Sequence, residues 1–81
     1  MKDYPIKIPR QLGAVLQGYR QDQKLTQKDV GTKVGLAQNV VSILEAAPER
    51  ASFGRIFKLL SALDLEIVVR PRGAAVRKTE W

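Results

Sequence analysis

The chain contains no cysteine and no histidine. Without cysteine there is no disulfide framework and no thiolate metal site, and without histidine the commonest neutral-pH acid, base and metal ligand is missing. Aromatic residues are scarce: two Phe, two Tyr and one Trp among 81 residues. No apolar run approaches the ~20 residues needed to span a bilayer. The start, MKDYPIKIPR, lacks the apolar centre of a signal peptide, so the chain reads as cytoplasmic. A chain this short forms one small domain that buries only somewhat over half of the surface its unfolded form exposes, which leaves little room for a catalytic cleft. What the sequence has in excess is positive charge. A net charge of +6 points to a polyanionic partner such as nucleic acid, although a solvated basic surface would also account for it.

Apolar periodicity predicts four helices. Pro5 and Pro9 punctuate an extended lead-in, residues 1–9, after which Leu12, Val15, Leu16 and Tyr19 recur at the spacing of an amphipathic helix that starts at Pro9 or Arg10 and runs to Gln23. Thr26 with Asp29 three residues on forms a capping-box-like start for a short second helix carrying Val30 and Val34. Gly35 stops that helix, because glycine tolerates the left-handed conformation that follows a helix end. A third helix spans residues 37–45, and AAPER, containing Pro48, reads as a linker. Ser52 caps a fourth helix in which Phe53, Ile56, Phe57, Leu60 and Leu63 fall at helical spacing, so these residues are expected in the core. Beyond Asp64 the pattern changes. LEIVVR, residues 65–70, is β-branched and partly alternating and reads as one strand closed by Pro71, and the aperiodic residues 71–81 read as a flexible tail.

On a helical wheel of the third helix, Val41 and Leu44 define a buried side, and Gln38, Asn39, Ser42 and Ile43 fall opposite. Two short helices joined through a glycine turn form a helix-turn-helix, whose second helix enters the DNA major groove with its N-terminal residues toward the bases. The chemistry fits that placement. A Gln38 or Asn39 amide can donate to and accept from adenine at once, the Ser42 hydroxyl can bond several base edges, and Ile43 can touch a thymine methyl. Gln27, at the start of the second helix, is placed to hold a phosphate together with free backbone N–H groups. Lys28 and Lys33 are second-tier candidates for the DNA backbone, since a solvated lysine is the commoner case.

The segment from Arg10 to Leu65, with YRQDQKLTQKDVGTKVGLAQNVVSILE at its centre, resembles the Xre/Cro-type helix-turn-helix repressors. Thr26, Gln27, Val30, Gly35, Val41, Leu44 and Glu45 stand where that pattern expects them. The resemblance implies an all-α, lambda-repressor-like domain of four to five helices over residues 10–70, and a structural ion pair between Arg20 and Glu45 in place of DNA contacts by either. One departure is Gly31, where a small Ala is usual; it is expected to loosen the second helix by up to ~1 kcal/mol. A second departure is the lack of Arg or Lys on the exposed side of the third helix, which argues against guanine readout there.

Within that group the chain is most similar to the HipB-type antitoxins. The features that carry this are the strand after the last helix, the short tail and the terminal EW. The likeness implies a homodimer on a palindromic operator, repression of its own operon at the nucleoid, and inhibition of a HipA-type serine/threonine kinase toxin. A phage or chromosomal Xre-family repressor without a toxin partner is the alternative.

A lone strand leaves backbone groups unpaired, so residues 65–70 are expected to pair with the same strand of a second copy, with Leu65, Ile67, Val68 and Val69 at the dimer interface and Ile67 or Val69 turned toward the helices. Trp81, the only Trp, is the candidate kinase contact. Stacking of Tyr19, Phe53 and Phe57 on single strands is disfavoured because these residues follow the core periodicity. The carboxylate pairs Asp22 with Asp29 and Asp64 with Glu66 come without a pocket or a metal ligand, so neither an enzyme nor a cofactor or metal site is expected.

Overall fold

The computed structural model describes residues 3–72. The order is α1 (Pro9–Asp22), α2 (Gln27–Val34), α3 (Gln38–Ala46), a 3₁₀ turn (Pro48–Arg50) and α4 (Phe53–Ala62). Three of the four helix starts have a local cause. Pro9 opens α1, and the Gln11 side chain reaches back to accept from the N–H groups of Lys7 at 2.6 Å and Ile8 at 3.2 Å. Thr26 and Asp29 form a reciprocal capping box at α2, with both hydrogen bonds at 2.9 Å. At α4 the Ser52 hydroxyl accepts from the Arg55 N–H at 3.2 Å.

The helix ends repeat one device. Lys24 and Asp64 both take φ 61°, the left-handed region, and the leucine after each folds back to donate to the carbonyl five residues earlier: Leu25 to Arg20 at 3.1 Å and Leu65 to Leu60 at 2.8 Å. Both leucines are half-buried against the core. Helix α2 ends at Gly35 with φ 72°.

Leu16, Val30, Val41, Leu44, Ile56, Leu59, Leu60 and Leu63 form the core, each at most 5% exposed. Each fully buried side chain of this size contributes about 1.5–3 kcal/mol. All four helices supply residues to this one cluster, in which α3 packs against α1 and α2, and α4 packs against α2.

Three expectations are corrected, and the strand expected over residues 65–70 is not seen in the single chain. The AAPER segment is not a plain linker: Pro48–Arg50 forms a 3₁₀ turn and Pro48 is fully buried. Phe53 and Phe57 are not in the core, being 75% and 53% exposed, with their rings 6.5 Å apart. At about 100° per residue, the buried stripe of α4 centres on Ile56, Leu59, Leu60 and Leu63, and Phe57 lies about a quarter turn from Ile56. Residues 65–70 form no strand among the described residues, since a strand is defined by pairing and one chain supplies no second strand to this segment. Val69, one of the two residues expected to face the helices, is 92% exposed, against 45% for Ile67.

Gly31 is the third correction. It is buried, and a Cβ there would run into the carbonyl oxygen of Leu36, whose own N–H donates to the Gly31 carbonyl at 2.8 Å. The glycine therefore permits close approach of the turn and is not merely a loose point in the helix. Gly18, in mid-α1, faces open space instead. Gly18→Ala is expected to stabilise the fold by about 0.5–1 kcal/mol through helix propensity. For Gly31→Ala the overpacking cost of about 1–3 kcal/mol exceeds the ~1 kcal/mol of propensity regained. Urea unfolding of the two variants should move the midpoint in opposite directions, and a rise for Gly31→Ala would refute the close-packing account.

Candidate nucleic-acid interface

Helix α3 turns its apolar side inward through Val41 and Leu44, both fully buried. The opposite side carries Gln38 and Asn39, both exposed, then half-buried Ser42 and Ile43 at 43% exposure. Gln38 and Asn39 are the first two residues of α3, and Ala37 before them brings no side-chain acceptor to the helix start. The end of α3 that presents amides to solvent is thus also the end carrying free backbone donors and the positive pole of the helix dipole. Lys28 and Lys33 are exposed on α2, and neither forms an ion pair among the described residues. Thr26 holds the Asp29 carboxyl below its ordinary value, chiefly through its backbone N–H and then its side chain, with smaller pulls from Lys28 and Lys33.

Behind this face sits a buried ion pair. Arg20 is 9% exposed and grips Glu45 in a fork, Nε to Oε2 at 2.6 Å and Nη2 to Oε1 at 3.1 Å, while Nη1 donates to the Leu25 carbonyl at 2.8 Å. The structural reading of the pair agrees with this geometry. The planar guanidinium satisfies a carboxylate and a loop carbonyl together, and no buried side-chain N or O among the described residues lacks a partner.

Sequence reasoning missed how Gln27 is used. Its Nε2 donates to Glu45 Oε1 at 3.1 Å, and its Oε1 accepts from Gln38 Nε2 at 3.1 Å. The residue read as a phosphate holder also ties the exposed Gln38 to the buried pair. Only the three-dimensional crossing of α2 and α3 reveals this, although two glutamines at the two helix starts were a signal that they could meet. Trp81 lies outside the described residues. No helix among those described is long and apolar enough to cross a membrane.

Two short helices joined through Gly35, with the second presenting its first turn outward over a core built on the first, make a helix-turn-helix DNA-binding domain. The pattern of the helix-turn-helix family matches residues 16–69, and the chain belongs to that family. Within it the likeness is to HipB. The chain is 29% identical over 82 residues to antitoxin HipB of Escherichia coli O6:H1, covering 94% of this chain and 87% of that protein. A solved complex of a HipB variant with an O2 20mer superposes with a TM-score of 0.85 at 26% identity, covering 89% of this chain and all of the other. A chain of a solved HipA–HipB–O2–O3 complex gives 0.84 at 27% identity, covering 88% of this chain and all of the other. A transcriptional regulator of Sinorhizobium fredii is 33% identical over 57 residues, which are 70% of this chain and 29% of that protein.

Proposed function

We propose that this protein is a sequence-specific DNA-binding antitoxin that represses its own toxin–antitoxin operon as a homodimer and neutralises a HipA-type serine/threonine kinase. The observation that carries DNA binding is the exposed amide pair Gln38 and Asn39 at the outward start of α3. The likeness to HipB over 94% of the chain supports the antitoxin role, and a similar HipB was solved together with HipA. The S. fredii relative favours a second reading, a repressor without a toxin partner.

In this proposal Gln38, Asn39, Ser42 and Ile43 meet base edges in the major groove, Gln27 holds a phosphate, and Lys28 and Lys33 attract the DNA backbone. The two half-sites lie about one helical turn, or a multiple of it, apart. The exposed Ile67, Val68 and Val69 pair antiparallel with the same residues of the second copy, and Leu65 leads in from the core. Trp81 docks on the kinase.

Gln38→Ala or Asn39→Ala is expected to cost about 1–3 kcal/mol of operator binding and to relax preference at one base position, whereas Lys28→Ala weakens all sequences alike. Selection and sequencing of bound fragments reads this out, and an unchanged preference in the doubly substituted protein would refute the assignment of α3. For the dimer, Val68→Pro removes a ladder donor and should shift sedimentation toward monomer at micromolar concentration; a wild type already monomeric there would overturn the pairing. Calorimetry with the co-encoded kinase should show that Trp81→Ala weakens kinase affinity and spares operator affinity. Equal kinase affinity would remove Trp81 from the interface, and the lack of any adjacent kinase gene would leave the plain repressor.

A further inference from the structure

The end of α1 carries two side chains that reach in different directions. Arg20 grips Glu45 near the end of α3, with Nε to Oε2 at 2.6 Å. Gln23, the residue that caps α1, reaches the end of α4 instead, where its Nε2 donates to the Leu63 carbonyl at 3.1 Å. Among the described residues this is the one hydrogen bond between the end of α1 and the end of α4. The helices themselves give little support at that junction, because α4 packs chiefly against α2.

The Leu63 carbonyl stands where no other group of the described chain takes it. At the end of α4 the carbonyls of Leu59, Leu60 and Ser61 accept from the N–H groups of Leu63, Asp64 and Leu65, which fold back over the last turn. Leu63 comes after these acceptors, is 1% exposed, and its carbonyl receives no backbone N–H among the described residues. A backbone oxygen beside a buried side chain costs free energy without a donor, and the Gln23 amide supplies one. The next residue, Asp64, takes φ 61°, and Leu65 then packs against the core. Gln23 therefore holds the very peptide from which residues 65–70 depart.

The far end of that segment also lies on the side of α1. Arg70 Nη1 stands 3.6 Å from Asp3 Oδ2, and the neighbouring Tyr4 sets its ring edge-on to Tyr19 with centroids 5.9 Å apart. An exposed ion pair of this kind contributes little energy. It does mark the course of the segment, which runs from the end of α4 toward the lead-in that rests on α1.

We propose that Gln23 is a positioning residue for operator geometry: by holding the Leu63 carbonyl from the end of α1, it fixes the angle at which residues 65–70 leave the domain, and so the half-site spacing that the dimer accepts. The route from one reading helix to the other passes through the Arg20–Glu45 pair, the end of α1, Gln23 and residues 65–70, then through the same groups of the second copy in reverse order. Two-fold symmetry doubles any change of angle at this joint. DNA converts angle into base pairs, since one base pair advances a half-site by about 3.4 Å and turns it by about 35°. A loosened joint tolerates neighbouring spacings without changing which bases each α3 prefers. Gln38 and Asn39 choose the bases, and Gln23 chooses how far apart the two sets stand.

This role rests on the proposed pairing of residues 65–70 and on α3 as the reading helix, and the test separates the three. The half-site that wild type selects is built into palindromic duplexes whose central spacer is varied one base pair at a time. Wild type, Gln23→Met and Gln23→Lys are compared by competition binding on this series and by sedimentation at the same concentration. Methionine keeps the length of glutamine and removes the donor, whereas lysine keeps a donor of comparable reach. Wild type and Gln23→Lys should favour one spacer. Gln23→Met should remain a dimer, keep base preference within each half-site, and lower the ratio of best to next-best spacer by roughly two- to tenfold, the range that one hydrogen bond spans. A Gln23→Met protein that keeps the wild-type profile, weakens all spacers equally or becomes monomeric overturns the positioning role, as does a Gln23→Lys protein that loses the profile. A monomeric wild type removes the pairing, and the spacing role with it. If Gln38→Ala leaves base preference untouched in a dimeric protein, it is the reading helix that has been misassigned, and the spacing role falls with that.

Discussion

The ion pair between Arg20 and Glu45 is the interaction on which the arrangement of the first three helices depends. It joins the last turn of α1 to the last turn of α3, and the same guanidinium holds the Leu25 carbonyl between α1 and α2. Replacing a buried pair by apolar residues is often neutral, but removing one partner leaves an uncompensated buried charge at a cost of about 3–5 kcal/mol. The pair therefore acts less as a source of stability than as a constraint on register. A packing of the same leucines and valines that separated the ends of α1 and α3 would leave both charges unpaired.

That constraint and the core divide the labour in a way the sequence partly displays. The four helices were legible because their starts carry independent chemical signals, namely Pro9, Thr26 with Asp29, and Ser52, and because Val41 and Leu44 leave one unambiguous outer side on α3. The sense of the Arg20–Glu45 contact was legible through resemblance. The chain of amides between them was not, since it depends on where the first residues of α2 and α3 cross, and periodicity along one helix carries no information about a crossing. Gly31 was misread for the same reason: propensity describes a helix alone, whereas the glycine answers to a carbonyl in the next turn.

Helix α4 shows a different limit. Phe53, Ile56 and Phe57 are spaced as a core stripe would be, and so are Ile56, Leu59, Leu60 and Leu63; one helix can carry two adjacent apolar stripes, and spacing alone does not say which faces inward. Packing chose the aliphatic set, whose members fit among Leu16, Val30 and Leu44, and left the aromatic pair outside. Residues 65–70 share the difficulty, because a β-branched pattern records a tendency to pair without naming the partner.

If the proposed pairing through residues 65–69 holds, the exposure of Val68 and Val69, 71% and 92% in the single chain, has a consequence in mass action. For a chain that covers such a surface only by meeting a second copy, folding free energy is tied to protomer concentration, and dilution alone lowers it. Degradation that proceeds through transiently opened molecules tracks the population of those molecules. A protein built in this way would survive well while abundant and be cleared faster as its level falls, so its lifetime would carry a memory of its own rate of synthesis.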